Sequence, residues 1–217
     1  MESIGIVGGT GPLGRGLAAR WTREGYQVHI GSRDAQRAVD AVERLVDEGA
    51  PREQLSAGAN EEVVGDVDVV IIAVPYEAQR AALTSLADRV GGRIVCTAVV
   101  PLGFDGDGPF LEPVAAGSAA AECRQALPDA RLVAGFHAVS SKRLRKVEEP
   151  VEADALLCGD DEEALEVVAR LADAIPGLRG VIVGPLRLAG QLEAQTPVVL
   201  AYNRRAKTEA GLRLIES

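Results

Sequence analysis

Ile4-Gly5-Ile6-Val7-Gly8-Gly9-Thr10-Gly11-Pro12-Leu13-Gly14 opens the chain and decides its fold. A short aliphatic run leads straight into a glycine-rich turn. A helical pattern then carries Leu13, Leu17 and Trp21 on one face and stops at Gly25. Gly9, Gly11 and Gly14 keep the GxGxxG spacing, and that match gains meaning only because it lies between a strand and a helix. Glycines let the backbone turn tightly and bring bare N–H groups up to a pyrophosphate. The helix N-terminus adds a favourable partial charge. The alternative is a plain strand–helix turn.

Working outward, strand-length apolar runs alternate with amphipathic helical stretches, the rhythm of a parallel sheet wrapped by helices. Gln27–Ile30 reads as the second strand, and Asp34 as the cap of a helix carrying Ala35, Ala38, Val39, Val42, Leu45 and Val46 at 3.6-residue spacing. Val67–Val74 is almost continuously aliphatic, as a central parallel strand should be. A helix over roughly 76–89 and strands at Arg93–Cys96 and Arg131–Phe136 complete the pattern of a nucleotide-binding half, residues 1–140. Between them, Pro101–Ser118 is rich in Gly and Pro and reads as a long ordered loop, either over a site or as a surface excursion. Residues 141–217 read as a small second α/β unit. It has strands at Ala155–Cys158 and Gly180–Val183, and a helix over 161–174 capped by Asp160 or Asp161. A last helix over 186–207 is kinked by Pro197. The expected fold class is α/β, a Rossmann-type doubly wound parallel sheet with a small C-terminal α/β domain.

Composition narrows the function. A formal net charge of -9 argues against a nucleic-acid partner, whose binders show a dominant basic face. No apolar run approaches the roughly 20 residues of a membrane helix, and the N-terminus lacks the basic region and cleavage site of a signal peptide. Cys96, Cys123 and Cys158 are odd in number and far apart, and read as buried thiols of a cytoplasmic protein. With only His29 and His137, no metal site is expected.

The end of the second strand bears on which dinucleotide binds. An NAD enzyme places Asp or Glu there for the ribose 2′-OH. Here Ser32, Arg33 and Arg37 offer a hydroxyl and two guanidiniums, which suit a 2′-phosphate and hence NADP(H). Asp34 runs against that reading unless it caps the helix. Val74-Pro75-Tyr76 sits at the C-terminal end of the central strand, where a doubly wound sheet places its ligand, although a strand-terminating proline would look the same. His137 follows a strand near the expected nicotinamide and invites the role of general acid. The alternative, a ring that only shapes the pocket, is favoured because solvent can protonate a reduced product. Two basic clusters, Lys142-Arg143-Leu144-Arg145-Lys146 and Arg204-Arg205-Ala206-Lys207, form either a rim that attracts an anionic ligand or solvated helix ends.

Seven segments together resemble a known family: IGIVGGTGPLGRGLA, IGSRDAQRA, VIIAVPYEA, VVPLGFDGDG, AGFHAVSSKRL, LLCGDDEEA and AYNRRAKTEAGLRL, spread over nearly the whole chain. They are similar to NADPH-dependent reductases of the deazaflavin coenzyme F420. The resemblance implies an oxidoreductase that moves a hydride between NADP(H) and coenzyme F420, with the deazaflavin in a cleft between a Rossmann domain and a small C-terminal domain. By position it implies Gly9, Thr10, Gly11, Pro12 and Leu13 as the phosphate loop, and Ser32, Arg33 and Arg37 as the 2′-phosphate site. Val74, Ala78, Val100, Val139 and Ser141 fall along the nicotinamide and its ribose, with His137 and Ala210 on the deazaflavin side. Val139-Ser140 stands where archaeal members carry Ile-Pro. Small-molecule coenzymes are the expected partners, in a homodimer. A reductase of the same fold acting on a flavin, an imine or a ferric chelate is the first alternative, and a non-catalytic NADP sensor the second.

Overall fold

A computed structural model describes residues 2–215. Strand β1 (Ser3–Val7) feeds the glycine loop and helix α1 (Pro12–Arg23). Strand β2 (Gln27–Ser32), helix α2 (Ala35–Asp47) and strand β3 (Leu55–Ala59) follow. Strand β4 (Val69–Ile72), helix α3 (Tyr76–Leu86) and strand β5 (Ile94–Thr97) continue the alternation. A short hairpin of β6 (Leu102–Phe104) and β7 (Pro109–Leu111) then leads to helix α4 (Ala119–Ala126) and strand β8 (Arg131–Ala134). Helix α5 (Ser141–Arg145), strand β9 (Ala153–Gly159), helix α6 (Glu162–Asp173) and strand β10 (Leu178–Gly184) come next. Helices α7 (Ala189–Glu193) and α8 (Gln195–Ala206) end the regular structure.

Eight strands form one sheet in the order β10-β9-β8-β5-β4-β1-β2-β3. All neighbours are parallel except β8 and β9. The strand order reverses beside β1, which is where a doubly wound sheet opens its ligand crevice. β4 shows why its run is so apolar. Val69 and Ile71 enter one core with Trp21, Val42 and Leu165, whereas Val70 and Ile72 enter the other with Leu83, Leu132 and Leu192. Covered on both faces, the strand has no polar side to present.

The structure differs from the sequence expectation in several places. Residues 141–217 contribute β9 and β10 to the same sheet as the first half, so the second α/β unit is an extension across an antiparallel β8–β9 pair. The stretch expected as a loop holds the β6–β7 hairpin, closed by Phe110 lying over Gly103, where a Cβ would come within 2.4 Å of its ring. β3 was not expected. β8 stops at Ala134 because Phe136 takes a left-handed backbone, φ 62°, which turns the chain out of the sheet. The last helix breaks at Ala194 instead of kinking at Pro197. Restarting there puts Pro197 in the first turn of α8, where its missing N–H leaves no hydrogen bond unmade. Among the described residues no helix is long and apolar enough to cross a membrane.

Candidate active site

The glycine loop is built for a close, uncapped approach. Gly8 has φ +74°, and a Cβ there would lie 2.7 Å from a Val74 methyl. A Cβ on Gly14 would come within 2.7 Å of the Gly9 Cα, so α1 can lean on the loop only as glycine. Gly11 caps α1 without a side-chain hydrogen bond, Pro12 occupies the first turn, and no acidic residue stands there. The first-turn N–H groups are therefore left to a ligand, and phosphate oxygens match them. The loop is held by its neighbours. Gly9 N–H donates to the Gly31 carbonyl at 2.9 Å, and Gly8 N–H donates to Asn60 Oδ1 at 3.2 Å.

Ser32, Arg33 and Arg37 lie at the end of β2 and the start of α2, beside the loop. Ser32 is buried and accepts the Asp34 N–H, whereas both arginines are exposed and have no hydrogen-bond or ion-pair partner among the described residues. Asp34 Oδ1 accepts from Gln36 N–H at 2.9 Å and so acts as the helix cap. Its carboxylate is committed to α2, which removes the objection to a phosphate at this corner.

A cleft of about 770 Å³ opens at the C-terminal ends of β1, β4 and β5. That volume lies within the range of small-molecule sites. Gly11, Pro12 and Leu13 line it on the loop side, and Val74 and Val100 line it at the strand ends. His137, Val139 and Ser141 form the opposite wall, with Ala210 from the C-terminal tail. Gly9, Thr10, Ser32, Arg33 and Arg37 stand outside the cleft lining on the loop and β2 side. Ala78, half-buried in the first turns of α3, is also outside it. Residues the sequence did not single out complete the wall: Thr196, Val199, Leu200 and Asn203 of α8, with Thr208 and Glu209 of the tail. Thr196 Oγ1 donates to the His137 carbonyl at 2.9 Å, tying α8 to the segment after β8.

Two buried residues organise this wall. Arg20 of α1, 2% exposed, donates to five carbonyls of the 143–149 segment, those of Arg143, Leu144, Lys146, Val147 and Glu149, at 2.7 to 3.0 Å. The helix that offers its N-terminus to phosphate thus also fixes the segment carrying Ser141. His137 is buried, and both ring nitrogens lack a partner among the described residues. Burial pushes its pKa down to about 4, so the ring is a neutral imidazole at neutral pH. Both ring nitrogens are shielded from the cleft, so the ring packs behind its surface and shapes the wall. Among the described residues no group of three or more His, Cys, Asp or Glu could hold a metal ion.

Comparison with known proteins places this geometry. The family described as NADP oxidoreductase, coenzyme F420-dependent, matches residues 3–101. An F420-dependent NADP reductase of Methanothermobacter thermautotrophicus is 36% identical over 97% of this chain and 94% of its own. The chain belongs to the F420-dependent NADP reductase family. Another member, from Methanocaldococcus jannaschii, is 33% identical over 97% of both chains. A putative F420-dependent NADP reductase of Arthrobacter sp. FB24 superposes over the full length of both chains with a TM-score of 0.84 at 23% identity. That likeness shows the fold. The cleft described above is built on this shared fold.

Proposed function

We propose that this reductase moves a hydride between NADP(H) and the deazaflavin coenzyme F420, with residues 1–140 binding the nucleotide and 141–217 completing the deazaflavin side of the cleft. One observation carries the reading. One cleft of about 770 Å³ meets the start of α1 on one side and an independent wall from α8 and the tail on the other, which supports a site for two ring systems. Bound NADPH supplies a hydride from nicotinamide C4 to C5 of the deazaflavin, and the reverse transfer regenerates it. The chain's own part is to bind, orient and keep water out, so proximity and alignment provide most of the rate. The loop from Gly9 to Leu13 would hold the pyrophosphate, and Ser32, Arg33 and Arg37 the 2′-phosphate. Val74, Val100, Val139 and Ser141 would set the plane of the nicotinamide, and Ala78 would support that wall from behind. His137 and Ala210 would face the deazaflavin. His137 would shape that side as a neutral ring and deliver no proton, because burial keeps it from charging.

The protein is further read as a cytoplasmic homodimer. Three free, buried cysteines suit a reducing compartment. Phe104 and Phe110 of the hairpin, with Val198 and Tyr202 of α8, leave large apolar side chains exposed. The test is a spectrophotometric assay with purified enzyme, in which NADPH should bleach oxidised deazaflavin while flavin, imine and ferric chelate remain unreduced. Tight NADPH binding without turnover on any of the four acceptors would instead make it a sensor.

A further inference from the structure

Beyond α8 the described residues, up to 215, form no regular helix or strand, yet they are pinned at several points. Lys207 turns it back with a left-handed backbone, φ 52°. The Asn203 side chain grips Ala210 from both sides, accepting its N–H at 2.7 Å and donating to its carbonyl at 3.3 Å. Lys142 donates to the Glu209 carboxylate at 2.6 Å, and Arg143 donates to the Glu209 carbonyl. Further on, the Asp154 N–H donates to the Leu212 carbonyl at 2.8 Å, and Asp154 Oδ2 accepts from Leu214 N–H at 2.6 Å. Arg179 closes the clamp. Its guanidinium donates to both Asp154 oxygens at 2.7 Å and to the Leu214 carbonyl at 2.7 Å.

Asp154 is out of place by composition. It is 2% exposed inside β9, between Ala153 and Ala155 of the core. Its partner Arg179 keeps 41% of its side chain exposed, so the pair adds little net stability that apolar residues could not. What apolar residues could not supply is a carboxylate that binds Arg179 through both oxygens and shares one of them, Oδ2, with the tail amide of Leu214. The pair therefore fixes the tail at Leu214, while the Asp154 backbone N–H holds the Leu212 carbonyl. With Ala210 gripped by Asn203 and Leu212 bonded to Asp154, only Gly211 lies between the two pins. A Cβ on Gly211 would meet the Ala153 Cβ at 2.7 Å, so the tail lies flush on β9. Thr208, Glu209 and Ala210, immediately upstream, form part of the cleft wall.

We propose that Asp154 and Arg179 are positioning residues for the co-substrate, holding residues 208–214 as a strap that forms one wall of the deazaflavin subsite. The inference rests on the deazaflavin reading above. It sets the strap apart from the nucleotide side, where the cleft is lined by the glycine loop and the strand ends.

An Asp154→Val/Arg179→Met variant replaces the clamp with apolar side chains and tests this. The melting temperature should change little. The deazaflavin KM should rise tenfold or more with kcat changed less than threefold, and the NADPH dissociation constant should stay within twofold. Amide hydrogen exchange, measured without either coenzyme, should speed up at Ala210 and Leu214. A folded variant with unchanged KM and unchanged exchange would overturn the proposal, as would an equal weakening of NADPH. Should the double variant fail to fold, Arg179→Lys carries the same test, because it keeps a cation for the buried Asp154 carboxylate but lacks the fork that reaches both its oxygens and the Leu214 carbonyl. Wild-type enzyme that leaves deazaflavin oxidised would overturn the functional reading and the ligand assigned to the strap. The exchange measurement would still report on the clamp, which keeps the two failures distinguishable.

Discussion

The carboxylate of Glu209 accepts a 2.6 Å hydrogen bond from the ammonium of Lys142, across the mouth of the cleft. Neighbouring Arg143 donates to the Glu209 carbonyl and, at 3.4 Å, to that of Val151. Lys142 and Arg143, two members of the basic rim suggested by the sequence, are thus already engaged with the tail. Arg204, exposed on α8 and lining the cleft, is placed to meet an anionic co-substrate. Arg204→Gln should raise the deazaflavin KM about three- to tenfold at low ionic strength and flatten its salt dependence, because a rim charge acts mainly on encounter. Lys142→Ala should move it less, since exposed ion pairs are worth about 0–1 kcal/mol. Steady-state kinetics at low and high salt check both, and an unaltered salt profile for Arg204→Gln would rule out steering.

NADPH should bind at least about tenfold tighter than NADH, with Arg33→Ala removing most of the gap. Arg33 and Arg37 are exposed beside the buried Ser32, and Asp34 is spent on capping α2. One charged hydrogen bond to phosphate is worth about 1.5–3 kcal/mol, or roughly 10- to 150-fold. Fluorescence titration with both nucleotides measures it. Equal affinities in the wild type would contradict the 2′-phosphate site.

What the sequence revealed was local. The strand–glycine–helix turn, the Asp34 cap and the aliphatic β4 each declare themselves within a dozen residues, because spacing and turn chemistry act over that range. β3 did not. Leu55-Ser56-Ala57-Gly58-Ala59 has no β-branched residue, and it becomes a strand only because it pairs along β2 at the edge of the sheet. The hidden parts of the site are contacts across long sequence separation. Asn60 meets Gly8 from 52 residues away, and Lys142 meets Glu209 from 67. Arg20 binds backbone carbonyls, which any side chain at 143–149 would have supplied, so composition could not mark its partners.

His137→Asn should keep kcat within about tenfold of wild type. A true general acid is worth about 10²–10⁴, and that role needs a group able to give up a proton near the working pH. Burial holds the His137 pKa at about 4, leaving the ring neutral and a poor proton donor. Single-turnover kinetics on the folded variant separate hydride transfer from release. A thousandfold fall with intact NADPH binding would show that proton delivery had been misassigned.

The last prediction concerns stability against pH, where two buried groups pull in opposite directions. His137 titrates at about 4 when folded and near 6.5 when unfolded, burial being the cause. Between those values the unfolded chain binds a proton that the folded chain refuses. Stability from this group is therefore lost as pH falls from 6.5 toward 4, by roughly 3 kcal/mol. Glu193 is fully buried on α7 and accepts the Ala119 and Ala120 N–H groups at 3.0 Å each. Burial outweighs those bonds and pushes its pKa up to about 7 from 4.5. Here the folded chain holds the extra proton, so stability is lost as pH rises from 4.5 through 7, again by roughly 3 kcal/mol. In the wild type the two slopes largely cancel between pH 4.5 and 6.5. Glu193→Gln should expose the histidine slope, with stability climbing as pH rises over that window. His137→Asn should expose the opposite slope, with stability falling toward pH 7. Urea unfolding across the window, with wild type as the reference for all other groups, reads both. Variants whose pH slopes match the wild type would show that neither buried group titrates as its surroundings dictate.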